Sequence, residues 1–104
     1  MRSTRSAPLA HEPAQAELDE AVAWYADQAP GSGERFLLEF LQALRLIEQF
    51  PLAWHPLTPD LRQCRLQRFP YSVIYATDDA GVLVLAVAHQ HRKPGYWRDR
   101  QRTP

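Results

Sequence analysis

The side chains best suited to chemistry lie in the last third of the chain. His89-Gln90-His91-Arg92-Lys93 follows directly on Val82–Ala88, a run that is apolar at every position. Imidazole titrates near neutrality and suits general acid–base work. Guanidinium and ammonium groups hold phosphate oxygens. A little further on, Arg92, Tyr96 and Trp97 combine a cation with two aromatic faces. That trio suits a phosphate-and-base platform. It suits equally well a structural role in which Tyr96 and Trp97 pack the C-terminal segment onto the fold. His89 carries the same two readings: a group that touches a target, or a hydrogen-bonded residue that fixes the segment after it. Cys64 is the only cysteine, so no intrachain disulfide can form. With no basic helix terminus or paired His evident in the sequence, it is expected to be a small core residue and not a nucleophile. No Cys/His spacing resembles a zinc site, and neither a metal nor another cofactor is expected.

These groups need a scaffold, and 104 residues suffice for one domain. A hydrophobic content of 45% argues for a packed core and against disorder. The formal net charge is zero, but it is segregated. Before Pro59 acids dominate, from Glu12, Glu17, Asp19 and Glu20 onward; after it arginines do, among them Arg62, Arg65, Arg68 and Arg92. An acidic first half and a basic second half point to an anionic partner for the latter, or to an ordinary solvated surface. No apolar run approaches the roughly 18 residues needed to span a bilayer. The polar start Met1–Pro8 lacks the apolar stretch of a signal peptide. The expectation is a cytoplasmic protein without a membrane partner.

The positioning elements can be taken in order. Ala7–His11 is a weak edge-strand candidate, since Pro8 suits only an edge or a strand start. Pro13 then fits a first helical turn, and Ala14, Leu18, Ala21, Val22 and Tyr25 recur at helical spacing. Pro30-Gly31-Ser32-Gly33 stops that helix, with Ser32 as a candidate cap for the next. The second helix runs to about Gln49, with Phe36, Leu37, Phe40, Leu41, Leu44 and Ile47 on one stripe. A loop this short makes the pair an antiparallel hairpin, with Trp24 and Tyr25 expected to pack it. After Phe50-Pro51 comes an extended, proline-rich connection to Asp60. Leu61–Arg68 is a strand candidate, and Phe69-Pro70 turns into Tyr71–Thr77, rich in β-branched and aromatic residues. Asp78-Asp79-Ala80-Gly81 is turn chemistry. Val82–Ala88, apolar on both faces, belongs mid-sheet with cover on each side, and carries His89 on the face of Leu85 and Val87. Arg98, Arg100 and Arg102 make a frayed basic tail. The fold expected is α+β, in the order β-α-α-β-β-β: a small, mostly antiparallel sheet with a helical hairpin on one face. It forms a single domain over residues 1–104, with 1–6 and 101–104 as flexible ends.

The ordered pattern Glu20-Ala-x-x-Trp24-Tyr25, Gly31-x-Gly33-x-Arg35-Phe36-Leu37, Ile47-x-x-x-Pro51, Arg65-x-x-x-Phe69-Pro70-Tyr71-x-Val73-x-Tyr75 and Val84-Leu-Ala-Val87-Ala-His89-x-x-Arg92-x-Pro94-x-Tyr96-Trp97-x-x-Arg100 resembles the ParE/RelE toxin superfamily. The similarity covers about Leu9 to Arg100. The resemblance implies the same β-α-α-β-β-β fold and a growth-inhibiting, plasmid-stabilising toxin. It implies a cognate antitoxin as partner, in a hetero-oligomer. Two activities occur in that superfamily. RelE-like members cut mRNA on the ribosome, and ParE-like members inhibit DNA gyrase without being nucleases. RelE-like nucleases use dispersed basic groups and a C-terminal tyrosine to position and neutralise the scissile phosphate. By position, this chain keeps Arg65 and Tyr96 but has Gln63, Ser72 and Gln90 where basic groups would stand. His89, His91 and Arg92 could substitute.

The resemblance therefore favours a ParE-like gyrase inhibitor. One alternative is an mRNA endoribonuclease using His89, Arg65, Arg92 and Tyr96; another is an inactive relic that serves as a binding module. Enzymatic activity is not expected under the first reading. The candidate catalytic groups under the second are His89, Arg65, Arg92 and Tyr96.

Overall fold

The computed structural model describes residues 9–10 and 12–102. Of the N-terminal strand candidate, Ala7, Pro8 and His11 lie outside the described residues, as do 1–6 and 103–104 of the expected flexible ends. The elements are β1 (Leu9–Ala10), α1 (Glu12–Gln28), α2 (Ser32–Gln49), β2 (His55–Pro56), β3 (Leu61–Arg65), β4 (Tyr71–Asp78), β5 (Gly81–His89) and a 3-10 turn (Arg98–Arg102). The sheet order is β1-β5-β4-β3-β2. β1 runs parallel to β5, and every other pairing is antiparallel. The expected α+β order holds. The addition is the two-residue β2 in the extended connection, where Pro56 sits on an edge that needs no N–H from it.

Both helices place apolar residues against the sheet. Ala14, Leu18 and Ala21 of α1 are buried, as are Phe36, Phe40, Ala43 and Ile47 of α2. They meet Cys64, Leu66, Val73, Tyr75, Val82, Val84 and Val87 in one core. Tyr25 stacks on Phe36, and Phe69 and Tyr71 meet both rings edge-on. Two packing expectations need correction. Trp24 is 56% exposed and touches Tyr25 only edge-on, and Leu41 is 46% exposed. Trp24 lies off the buried arc of Ala14, Leu18 and Ala21 on α1, and Leu41 off that of Phe36, Phe40 and Ile47 on α2. Ser32 also does not cap α2. Gly31, at φ 80°, takes the cap position, and Ser32 Oγ accepts from Arg35 instead. A tight helix–helix loop needs this left-handed residue, and glycine adopts it without a Cβ clash.

The β4–β5 hairpin forms where the turn chemistry places it. Asp78 Oδ1 accepts from the N–H groups of Ala80 and Gly81. The ladder then slips. Tyr75 pairs with Val84 and Ile74 with Ala86, so Leu85 has no opposite number. A bulge of this kind reverses the alternation beyond it. Val82, Val84 and Val87 face the helices, whereas Leu85, Ala86 and Ala88 face the far side with Leu61, Ile74 and Trp97. His89 pairs with Tyr71 and so shares the helix face with Val87 but not, as the simple alternation predicted, with Leu85. The far face is not bare: Trp97, 8% exposed, and the half-buried Tyr96 pack onto it.

Cys64 is 3% exposed on the helix side of β3. Burial pushes its thiol from an ordinary 9.0 up to about 11. The raised value means that its contribution to stability is intact below pH 9 and is lost as pH climbs through 11. Two pH units correspond to about 100-fold less thiolate at pH 8. Labelling of the native protein with an aromatic disulfide reagent should therefore be at least about 100-fold slower than labelling in denaturing urea. Equal rates would show that the thiol is open.

Candidate functional site at the edge of the central strand

Among the described residues, β1 pairs with Leu83 and Val84 of β5. Further along that edge, side chains meet the β5 backbone. The carboxylate of Glu17, on the sheet side of α1, accepts the Val87 N–H at 2.9 Å. Arg100, on the 3-10 turn, donates to the Leu85 carbonyl at 2.9 Å and to both Glu17 oxygens at 2.9 and 3.1 Å. The Glu17 and Arg100 side chains are only 11% and 18% exposed. Tyr96 Oη donates to Glu17 at 2.6 Å. Burial, and then that hydrogen bond to a carboxylate, push the Tyr96 phenol well above its ordinary range. Arg100's own hydrogen bonds to the Glu17 carboxylate raise its guanidinium in turn. The Arg92 guanidinium lies over the Tyr96 ring at 3.9 Å, and Arg100 lies 5.0 Å from its centroid. Tyr96 is thus a committed donor. A phenol held so strongly in its protonated form is a poor base at neutral pH.

His89 sits at the end of β5 beside a cleft of about 590 Å³ that Glu20, Trp24, Tyr71 and Arg92 also line. Its Nδ1 accepts the His91 N–H at 3.0 Å, and its ring meets Tyr71 edge-on. With Nδ1 an acceptor, the neutral ring carries its proton on Nε2. The hydrogen bond fixes the turn that leaves the sheet.

Arg65 stands apart from these three. It pairs with Ser72, which in turn pairs with Ala88. That puts Arg65 two strands from β5, about 10 Å across the sheet, on the face opposite His89. It lines a second cleft, of about 430 Å³, together with Arg68, Tyr71, Ser72 and Gln90. The positions singled out by the resemblance at Arg65, Ser72 and Gln90 therefore do converge, but Ser72 and Gln90 bring no charge. The structure gathers His89, Arg92 and Tyr96 and leaves Arg65 outside their group. Among the described residues, no three His, Cys, Asp or Glu side chains come together to hold a metal ion. No helix there is long and apolar enough to cross a membrane.

Glu17 and Arg100, which hold this edge together, were missed as a pair. By sequence Glu17 is one more acid of the acidic first half and Arg100 part of a basic tail, and 83 positions separate them. Far from fraying, Arg100 is the most heavily bonded side chain of the C-terminal segment among the described residues. Its place at the end of the Tyr96-Trp97-x-x-Arg100 pattern was the one available signal.

Comparison with known proteins agrees with this architecture. Residues 9–94 match the family described as the ParE toxin of type II toxin-antitoxin system, parDE. The protein called Toxin ParE2 in two strains of Mycobacterium tuberculosis is 36% identical over 85 residues, covering 81% of this chain and 81% of that protein. A solved chain of the chromosomal ParDE TA system from P. aeruginosa superposes with a TM-score of 0.56 at 16% identity. That match covers 80% of this chain and 94% of the other, and at such identity it speaks for the fold alone. With the family match over most of its length, the relative at 36% identity and the shared sheet-and-hairpin fold, this chain belongs to the ParE toxin family and is the toxin component of a type II toxin–antitoxin system.

Proposed function

We propose that this toxin is a non-catalytic inhibitor of DNA gyrase, acting in the cytoplasm as a single domain and neutralised by a cognate antitoxin that binds it in a hetero-oligomer. The family membership and the relative named Toxin ParE2 support the antitoxin partner. One observation carries the non-catalytic reading: the four candidate nuclease groups do not all share a site, and two of those that come together are already hydrogen-bonded elsewhere. Tyr96 spends its hydroxyl on Glu17, His89 spends Nδ1 on the following turn, and Arg65 lies on the other face of the sheet. General acid–base cleavage needs its groups within about 3 Å of the reacting atoms around one space. Target binding carries no such requirement.

Purified toxin in molar excess should block supercoiling of relaxed plasmid by gyrase and leave RNA intact. His89→Ala should inhibit within about twofold of the unaltered protein, because a hydrogen-bonding residue outside a reacting centre has only a local effect. Normal supercoiling at excess toxin would end the gyrase reading. New mRNA ends in induced cells that vanish with His89→Ala would replace it with endoribonuclease activity. The second cleft, with Arg65 and Arg68 on its wall, is the feature that would favour that outcome. Normal growth on induction would leave only a binding role.

A further inference from the structure

α2 carries more apolar residues than its core-facing side uses. Phe36, Phe40, Ala43 and Ile47 are buried, whereas Leu38 and Leu41 are 60% and 46% exposed. At 100° per residue these two leucines fall on the side of α2 turned away from the buried arc. Glu34 and Arg45, both exposed, continue the same stripe at either end. The four stand at i, i+4, i+7 and i+11, the alternating spacing of a coiled-coil seam. Neither Glu34 nor Arg45 has an ion-pair partner among the described residues. None of the four lines the cleft beside His89.

We propose that this stripe is a self-association surface, on which α2 of one toxin molecule packs antiparallel against α2 of a second copy. The occupant follows from the order of the four residues. With a two-fold axis crossing α2 at the level of Glu39 and Phe40, Leu38 faces Leu41 of the second copy, and Leu41 faces its Leu38. Glu34 of each chain then faces Arg45 of the other, so the seam closes with an ion pair at both ends. A parallel pairing would set Glu34 on Glu34 and Arg45 on Arg45, and facing like charges disfavour it. One patch thus serves both partners, as a closed two-fold dimer requires. Four leucines cover well under the roughly 1,000 Å² that marks a stable interface. The dimer is therefore weak, with a Kd on the order of 100 μM. The pairing depends neither on the toxin's target nor on its antitoxin.

Sedimentation equilibrium of the full toxin from about 5 to about 500 μM should show a monomer–dimer equilibrium. Glu34→Arg alone and Arg45→Glu alone should each weaken it about tenfold, since each sets like charges at both ends of the seam. Mixing these two variants should restore dimers with one chain of each kind, because every facing pair is again opposite in sign. The double variant Glu34→Arg with Arg45→Glu should dimerise as the unaltered protein does. Leu41→Lys keeps both charges and should leave no dimer up to about 500 μM, with circular dichroism unchanged because the residue is exposed. A toxin that stays monomeric at about 500 μM overturns the inference. A dimer that survives Leu41→Lys overturns it too, and puts the contact elsewhere on the surface. Single charge variants that dimerise as well as the unaltered protein, or that fail to pair when mixed, overturn the antiparallel register and the second copy's α2 as occupant.

Discussion

Replacing Glu17 with alanine is expected to lower the unfolding free energy by about 3–5 kcal/mol, the usual result of stripping the partner from a largely buried charge. The substitution strands three kinds of donor at once: the Val87 N–H, the Tyr96 hydroxyl and the Arg100 guanidinium. Arg100 is only 18% exposed and cannot simply turn to water while it also holds the Leu85 carbonyl. Urea unfolding followed by tryptophan fluorescence would measure the loss. Tyr96→Phe should cost only about 1 kcal/mol, since it removes a single hydrogen bond and keeps the ring under Arg92. The double variant Glu17→Ala with Arg100→Ala should lose less than the two single losses added together, because neither partner is then left charged and alone. A Glu17→Ala loss below about 1 kcal/mol would place this pair with ordinary surface ion pairs and contradict its role in holding the edge of β5.

Gly33→Val should destabilise the protein by about 3 kcal/mol, towards the upper end for overpacking. Gly33 is buried near the start of α2, against Val22 and Ala26 of α1. A Cβ there would lie 2.7 Å from the backbone oxygen of Val22 and 3.0 Å from the Ala26 Cβ. Neither neighbour can swing aside, because one is helix backbone and the other a methyl fixed to it. The hairpin must open, which loosens the stacked Tyr25 and Phe36 a turn away. Gly33→Ala should show a smaller loss of the same sign, and the two together report distance and not merely composition. Thermal and urea midpoints of both variants provide the check. A stability within about 0.5 kcal/mol of the unaltered protein for Gly33→Val would mean that the helices sit further apart than the structure places them.

Local chemistry made several elements legible in advance. Asp78-Asp79-Ala80-Gly81 specifies its hairpin because an Asp side chain and a glycine satisfy that turn by themselves. The stripes Ala14–Leu18–Ala21 and Phe36–Phe40–Ile47 specify which helix faces go inward because helical periodicity is a property of the chain. The apolar run Val82–Ala88 announced a strand covered on both faces, and Trp97 supplies the second cover. The ends of these patterns were harder to read. Trp24 and Leu41 are as apolar as their buried neighbours, yet each lies outside the buried arc of its helix and stays exposed.

The candidate site divides the same way. Sequence determined that this chain would place His89, Arg92 and Tyr96 just beyond a buried central strand, and that it would carry neutral Ser72 and Gln90 where a nuclease of the related kind would carry cations. It also determined the family, through short motifs in a set order that the matches over residues 9–94 bear out. Tertiary structure alone decided which of these side chains meet. One unpaired residue, Leu85, turns His89 onto the helix side of the sheet, while Arg65 stays on the other. Glu17 and Arg100 satisfy backbone groups of Val87 and Leu85 on the edge of β5, and Glu17 also takes the Tyr96 hydroxyl. The physical reason is common to both cases. Residue type and period are carried by neighbours along the chain, whereas a ladder slip and side-chain bonds along a strand edge arise only when segments far apart in sequence compete for the same hydrogen bonds.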